Sequence, residues 1–437
     1  MHESTYLKDF QTKENLKEIY YTYIYYSFAI GSDNISHTAF NKNLDDQIEI
    51  IHRKLKNKSF KFSRYKLKLL NKGRQKIPRE IYIPTIRDRI VLKSIHLYLQ
   101  SIYTSELTNR MPQDLVYELK QCIKDFDFFI KIDIKNFYPT VSHDILFEIL
   151  KIKIKSENTL NLINQALQPQ KNEFIGGIPQ GLAISNILSS IFLNQIDSQF
   201  LNNPSIRYFR FVDDILILLN EDNLDYIKSK IEKDFYELKL EIHPIKENFS
   251  KSKIGEIKST KFEYLGYSFS NALISVRKST VNNLYTSIIQ CFSKYRYAKE
   301  KNIDFLLFQL NLRITGCIDD GKTKGWIFFF SQINDLTLLK KIDLFISNAW
   351  STFNLDPNQY HRVKNFTKAY YEVRFNFKNS NYFINFDKII LNKKIDILEK
   401  VFKFPTTSLS VEEINEAFHI KTKGQINLLQ IDLRNFS

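Results

Sequence analysis

Cysteine is almost missing from this chain: Cys122, Cys291 and Cys317 are the three in 437 residues. They are odd in number and far apart, and no two stand at the short spacing of a zinc ligand set, so the expectation is a reduced, intracellular protein without structural zinc. The eight histidines are scattered, with neither His-x-Glu nor His-Glu-x-x-His among them. Glycine (11) and proline (10) are scarce as well, which argues against disorder, collagen-like repeats and long flexible linkers. No run of about 18 apolar residues occurs, and the opening MHESTYLKDF has no basic region followed by an apolar one. A soluble, cytoplasmic protein with no membrane partner is expected.

Acidic residues are missing from one stretch: Ile51 to Arg79 holds twelve Lys or Arg and no Asp or Glu, hence +12 of the formal net +15. The overall richness in Lys, Asn, Ile, Phe and Tyr is what an AT-rich genome produces, so the total of 63 basic residues is not informative by itself. The clustering is. It is either a solvated basic face or the footprint of a polyanionic partner, whose phosphates Lys and Arg neutralise. With 43% hydrophobic residues, a chain of this length packs as two or three modules.

Residues 1 to 50 read as helical, with a polar break at Gly31-Ser-Asp-Asn. A helix from about residue 44 leads into the basic stretch, which alternates as a strand through KFSRYKLKLL and resumes at REIYIP, predicting a basic β-ribbon. IRDRIVLKSIHLYLQSIY has helical spacing. Further on, FFIKIDI is a strand, HDILFEILKIKI and LAISNILSSIFLNQI are helices, RYFRFV and ILILL are two strands joined at Asp213-Asp214, and NLDYIKSKIEKDFYEL is an amphipathic helix. LKLEI and KFEYLGYSF supply further strands. The predicted fold class is α+β: an antiparallel sheet backed by helices on the split βαβ plan, followed by a mostly helical module after about residue 280. In that module GCIDDGKTKG is an interruption, and Asn334 or Asp335 caps a helix whose Leu336, Leu339, Ile342 and Ile346 share a face.

Three carboxylates stand where chemistry is most affected by fold. Asp133 interrupts an apolar strand, where an unpaired carboxylate is costly to bury; a strand-end aspartate paired with a lysine is the plain alternative. Asp213-Asp214 lies between apolar strands, where aspartate is also simply a good turn residue. Taken together, adjacent strands carrying Asp133 and Asp213 to one edge would create like charges that a hard divalent cation relieves. Two such ions about 3.5 to 4 Å apart stabilise the attacking and leaving oxygens of phosphoryl transfer.

The order of these segments resembles the reverse transcriptase family. KIDIKNFYPTV is similar to the family's first palm motif, GGIPQGLAISNILSSIFL to its second, FRFVDDILIL to its third, LKLEIHPIKENFS to its fourth and FEYLGYSF to the primer-gripping fifth. IPREIYIPTIRDRIV resembles the fingers motif upstream. The resemblance spans roughly residues 44 to 270 and implies a right-hand polymerase: fingers with N-terminal helices over residues 1–125, an RRM-like palm over 126–275 with the second motif at 176–200, and a thumb-like helical domain over 276–437. It implies two Mg2+ ions, with Mn2+ as a substitute, held by Asp133 and Asp213 with help from Asp214 and Ile134, which also counts among the nucleotide contacts. Tyr138 would be the steric gate under the sugar, Pro179, Gln180 and Gly181 would contact the templating pair, and Arg79 with Lys76 would hold the triphosphate. Lys246 would protonate pyrophosphate, and Tyr264, Leu265 and Gly266 would grip the primer. Each has a plain alternative: Tyr138 in the core, Gly181 in a helix-initiating loop, Lys246 solvated at a strand end, FEYLGY a packed hairpin.

Departures narrow the resemblance. Ser185-Asn186 stands where group II intron and diversity-generating enzymes have Ser-Pro or Ser-Gln, and neither the Asn-Ala-x-x-His nor the Val-Thr-Gly signature of retrons is present. No Cys-rich or His-Asn-His endonuclease segment is found. The chain is most similar to the bacterial defence-associated, abortive-infection type, which implies an RNA template such as a dedicated small non-coding RNA, deoxynucleotide substrates, a DNA product, and a partner protein or homo-oligomer. The alternatives are a retroelement enzyme of retron or group II intron type, and a palm-fold RNA-binding scaffold that has lost catalysis.

Overall fold

The alternation in FFIKIDI and the continuous apolar run ILILL both resolve into one sheet. In a computed structural model, which describes residues 9–25, 27, 29–71, 78–104, 107, 110–168, 177–247, 250–430, 432 and 433, the chain divides into two compact units. One comprises residues 1–109 and 128–254, the other 110–127 and 255–437.

The first unit opens with helices α1 (Lys13–Ile19), α2 (His37–Lys42) and α3 (Leu44–Lys56), then the ribbon of β1 (Lys66–Leu70) and β2 (Arg79–Ile83), then α4 (Ile86–Ile102). Helix α5 (Pro112–Cys122) belongs to the second unit. The first unit resumes with β3 (Phe128–Asp133), α6 (Phe137–Thr140), α7 (His143–Lys153), α8 (Glu157–Leu167), α9 (Ser185–Leu201), β4 (Ile206–Phe211), β5 (Asp214–Leu219) and α10 (Leu224–Glu237). The chain leaves this unit within β6 (Lys253–Glu256). The sheet order is β4-β5-β3-β6, with β5 antiparallel to both β3 and β4. Ile130, Ile132, Ile215 and Ile217 are buried in one core with Leu146, Leu150, Leu188, Ile191 and Ile231 of the helices. Strand β5 is buried on both faces from Ile215 onward, which is why its sequence runs apolar without alternating.

Two strand expectations are corrected. Of KFSRYKLKLL, only Lys66–Leu70 is a strand. Before it, Phe60, Phe62 and Tyr65 are buried, the Ser63 amide donates to Asp88 Oδ2 and the Tyr65 hydroxyl to the Ala166 carbonyl. Core anchoring takes the place of a ladder there. LKLEI is not a regular strand either. Its first residues terminate α10, with Lys239 left-handed (φ 56°) and the Leu240 amide bonded back to Phe235 O; beyond that, a single bridge links Ile242 to Ile134.

The second unit contains a three-stranded sheet of β7 (Phe262–Tyr264), β8 (Tyr267–Ser270) and β9 (Leu273–Val276), then α11 (Lys278–Arg296) and α12 (Ile303–Thr315). Strands β10 (Cys317–Asp319) and β11 (Lys322–Lys324) form the interruption expected at GCIDDGKTKG, followed by α13 (Trp326–Phe329), α14 (Leu336–Thr352), α15 (Phe366–Phe375), β12 (Ile384–Asn385), α16 (Leu391–Asp396) and α17 (Val411–Leu428). Asp335 caps α14 by accepting from the Leu338 amide, and Leu339, Ile342 and Ile346 are its buried face. The fold is α+β, an antiparallel sheet with helices followed by a mostly helical module. Among the described residues no helix is long and apolar enough to cross a membrane.

Candidate active site

Phe211 and Asp214 are register partners at the end of the β4–β5 hairpin, so Val212 and Asp213 form a two-residue turn. Val212 has φ 58°, a left-handed conformation that a β-branched residue adopts only when its surroundings compel it. The surroundings are Arg210 and Asp197. Arg210 Nη1 donates to the Val212 carbonyl at 2.9 Å, while its Nε donates to Asp197 Oδ1 at 2.6 Å and its Nη2 to Asp197 Oδ2. The Tyr208 hydroxyl donates to the same Asp197 Oδ1 at 2.8 Å. Asp197 sits on α9 and both ends of the pair are nearly buried, so the turn is tied to the helix that carries the second motif.

The adjacent strand supplies Asp133, which is in register with Asp214. The expectation put Asp133 and Asp213 at one strand edge; the register partner of Asp133 is Asp214, and Asp213 stands in the turn beside it. Burial holds the Asp213 carboxyl above its ordinary value, the charges of Asp214 and Asp133 raise it further, and Arg79 opposes them. Two of the carboxylates have lysine or imidazole neighbours, and burial, then Lys251, lowers the His243 pKa. Lys131 Nζ is 3.4 Å from Asp214, and His243 Nε2 and Lys251 Nζ are 3.3 and 3.7 Å from Asp133 Oδ2. The plain expectation of a lysine-paired strand aspartate therefore describes part of what is seen. The Asp133 amide donates to Ser252 Oγ and its carbonyl accepts from the His243 amide, which fixes the strand end, and Ile134 is buried next to it. All three carboxylates are half-buried, and oxygen donors of this kind are what a hard divalent cation takes as ligands.

Of the expected nucleotide contacts, Tyr138 and Arg79 lie within electrostatic reach of Asp213. Tyr138 is half-buried on α6; burial raises its phenol, and Asp213, Arg79 and Arg210 all act on it electrostatically. Arg79 begins β2 and so reaches the acids from the ribbon, while Lys76 lies outside the described residues. The Gln180 carbonyl accepts from the Tyr82 amide of β2 at 2.8 Å. Gly181 (φ 103°) packs so closely there that a Cβ would sit 2.7 Å from Tyr82 O. Gly177 is under the same constraint against the first motif: φ is 76°, and a Cβ would lie 2.4 Å from the Tyr138 carbonyl. That carbonyl accepts from the Ile178 amide at 2.7 Å. Pro179 is buried, and its carbonyl accepts from the Ser185 hydroxyl. Backbone contacts thus gather the ribbon, the second motif and the first motif in one place.

Lys246 is exposed and bridges Lys253 through its backbone, and part of its motif, residues 248 and 249, lies outside the described residues. Tyr264, Leu265 and Gly266 are in the second unit, where Leu265 and Gly266 (φ 49° and 79°) make the β7–β8 turn and all three are buried. The sequence reading missed Arg210, Asp197, Asn186, Ser252, His243 and Lys251. For Arg210 and Asp197 a signal existed, since each is a charge inside an apolar segment, and Asn186 stands out as a departure in the second motif; for Ser252, His243 and Lys251 there was none.

Among the described residues, the carboxylates whose oxygens all lie within 4.8 Å of one another are Asp319, Asp320 and Asp387, not the three above. They have structural partners. Asp319 and Asp320 face Lys423 and Lys324, and Asp387 accepts from the Asp320 and Gly321 amides at the β10–β11 turn.

Comparison with known proteins identifies relatives of the central segment. An "Uncharacterized 91 kDa protein in cob intron" of Schizosaccharomyces pombe is 30% identical over 172 residues, 36% of this chain and 21% of that protein. The "Group II intron-encoded protein LtrA" of Lactococcus lactis subsp. cremoris is 25% identical over 167 residues, 35% of this chain and 28% of that one. The chain therefore aligns with less than a third of either relative's length. A solved structure of Candida albicans telomerase with a fragment of telomeric RNA covers 87% of this chain and 69% of its own at 13% identity and a TM-score of 0.43. Residues 70–269, a little under half of the chain, match the family model described as "Reverse transcriptase (RNA-dependent DNA polymerase)", and β3, β4 and β5 with the three aspartates lie inside the matched segment.

Proposed function

We propose that the protein is an RNA-directed DNA polymerase that joins deoxynucleotides by two-metal nucleotidyl transfer. The observation that carries this reading is the register of Asp133 with Asp214 beside the strained turn of Asp213, within electrostatic reach of Arg79 and Tyr138. In this reading residues 1–125 are the N-terminal helices and fingers, 126–275 the palm and 276–437 a thumb-like module. Asp133 and Asp213 would hold two Mg2+ ions, with Asp214 and the Ile134 backbone assisting. The ions, when bound, supply charge stabilisation to the attacking and leaving oxygens. Arg79, with Lys76, holds the triphosphate; Pro179, Gln180 and Gly181 contact the templating pair; Lys246 delivers a proton to the leaving pyrophosphate; Tyr264, Leu265 and Gly266 orient the primer.

The test is extension of a primer on an RNA template by the purified protein with Mg2+. Product should form with deoxynucleotides and be suppressed by chelation. Tyr138 decides the sugar: overpacking against a 2′-hydroxyl costs about 1 to 3 kcal/mol, or roughly 5- to 150-fold in relative rate. Tyr138→Ala should raise ribonucleotide over deoxyribonucleotide incorporation by that factor, with the metal requirement retained. Equal discrimination by variant and wild type would return Tyr138 to the core.

The template backbone has a candidate surface in the ribbon. Every residue of β1 is exposed, Lys66 and Lys68 included, and Lys72 and Arg74 of the same basic stretch lie outside the described residues. Lys66→Gln with Lys68→Gln should weaken binding similarly across sequences and reduce the slope of log affinity against log salt by roughly 1 to 2. An unchanged slope, measured by titration at several salt concentrations, would leave the ribbon a solvated face.

Anti-phage defence, with a dedicated RNA template and a partner protein or homo-oligomer, is the finer reading, supported by the Ser185-Asn186 departure in the second motif. A retroelement role is favoured instead by the intron-encoded relatives. Sequencing the nucleic acid that copurifies with the protein separates them: a defined small RNA supports the first, intron or retron RNA the second.

A further inference from the structure

We propose that Asn186 is a positioning residue that sets sugar selectivity by tethering the Tyr138 ring, an inference that rests on the reading of Tyr138 as the residue under the incoming sugar. Tyr138 is held at both ends. Its carbonyl accepts from the Ile178 amide, at the point where Gly177 has no side chain to intervene. Its hydroxyl donates to Asn186 Oδ1 at 2.7 Å, and the Ser189 hydroxyl also acts on the phenol. Asn186 and Ser189 are three residues apart on α9 and so share a face; the Ser189 hydroxyl donates to the Asn186 carbonyl at 2.9 Å. Ser185, next to Asn186, is bonded to the Pro179 carbonyl, which anchors this end of the helix to the second-motif loop.

An exposed asparagine near the start of a helix has no packing role of its own. Here its amide oxygen reaches a phenol whose ring lies beside Phe137 and on which Ser189 also acts. A tyrosine fixed only at its backbone retains rotation about two side-chain bonds and can yield to a 2′-hydroxyl. One whose hydroxyl is also bonded loses that freedom, and the ring becomes a rigid obstacle next to Asp213 and Arg79. Steric exclusion depends on such rigidity, because a ring that moves aside imposes only the cost of moving it.

The experiment measures the ratio of deoxyribonucleotide to ribonucleotide kcat/KM for the full-length protein on one primer-template. Wild type, Tyr138→Phe, Asn186→Ala, the double variant and Asn186→Asp are compared. Tyr138→Phe and Asn186→Ala should each lower the ratio by roughly two- to tenfold, the worth of one net hydrogen bond, and the double variant should lower it no further than either alone. Asn186→Asp keeps the acceptor and should keep the wild-type ratio whatever its overall rate. An unchanged ratio in Asn186→Ala, or additive effects in the double variant, would overturn the tether. A change in Tyr138→Ala without one in Asn186→Ala would overturn it too while leaving the sugar-gate reading intact. Failure of the wild type to incorporate any nucleotide would overturn the polymerase reading instead.

Discussion

Asp213→Ala combined with Asp214→Ala should abolish incorporation of labelled nucleotides, by about a thousandfold or more, while the thermal transition moves little. The loss follows from removing two of three carboxylates; a thousandfold corresponds to about 4 kcal/mol of transition-state stabilisation, within what metal-ion catalysis supplies. The fold should tolerate it for a reason of sign. Folding raises the Asp213 pKa, by burial first and then by the charges of Asp214 and Asp133. A carboxyl whose pKa is higher in the folded state favours folding while protonated, and that contribution is lost as pH rises through the folded value. Once ionised, the group therefore opposes folding, and its removal offsets the loss of the Lys131–Asp214 pair at 3.4 Å. Primer extension and a thermal melt on the same preparations check both halves. Undiminished synthesis by the double variant would end the polymerase reading; a collapsed melt would mean that the acids serve the fold.

Asp197→Ala should, unlike the first variant, bring a large loss of stability. It strands Arg210, whose guanidinium is nearly buried and makes two of its hydrogen bonds to Asp197. Leaving one charge of a buried pair unpaired costs about 3 to 5 kcal/mol, or roughly 6 to 20 °C in melting temperature for a unit of this size. Replacing both partners, Asp197→Leu with Arg210→Met, removes the unpaired charge and should recover much of that loss. Incorporation should stay depressed in the double variant, because the Val212 carbonyl has lost the donor that holds its left-handed turn. Equal melting temperatures for single and double variants would show that charge burial is not what matters at this site. Full activity in the double variant would show that the Asp213 turn holds its shape unaided.

How legible these features were depended on how local their causes are. The strands FFIKIDI and ILILL, the helix ending in KDFYEL and the Asp335 cap follow from periodicity and capping within a few residues. KFSRYKLKLL misled because its alternation fits a strand, whereas Phe60, Phe62 and Tyr65 are held in the core by partners as distant as Ala166. LKLEI misled because a left-handed Lys239 ends α10 within it, and β-forming residues carry no sign of that.

By itself the sequence determined where the three aspartates stand, at the end of one strand and at the junction of two others. It also determined that a basic ribbon precedes them and that a mostly helical module follows. Those are properties of short segments, set by side-chain alternation, turn chemistry and charge. Only the tertiary structure decided that β3 lies beside β5, so that Asp133 pairs with Asp214 rather than Asp213. It alone brought Arg79 toward the acids from the ribbon, Asn186 to Tyr138 across 48 residues, and Ser252 to Asp133 across 119. The physical reason is that strand order and side-chain meetings at such separations are fixed by burying one shared core. A pattern that repeats every two or four residues specifies which face is buried, and not which distant face it will meet.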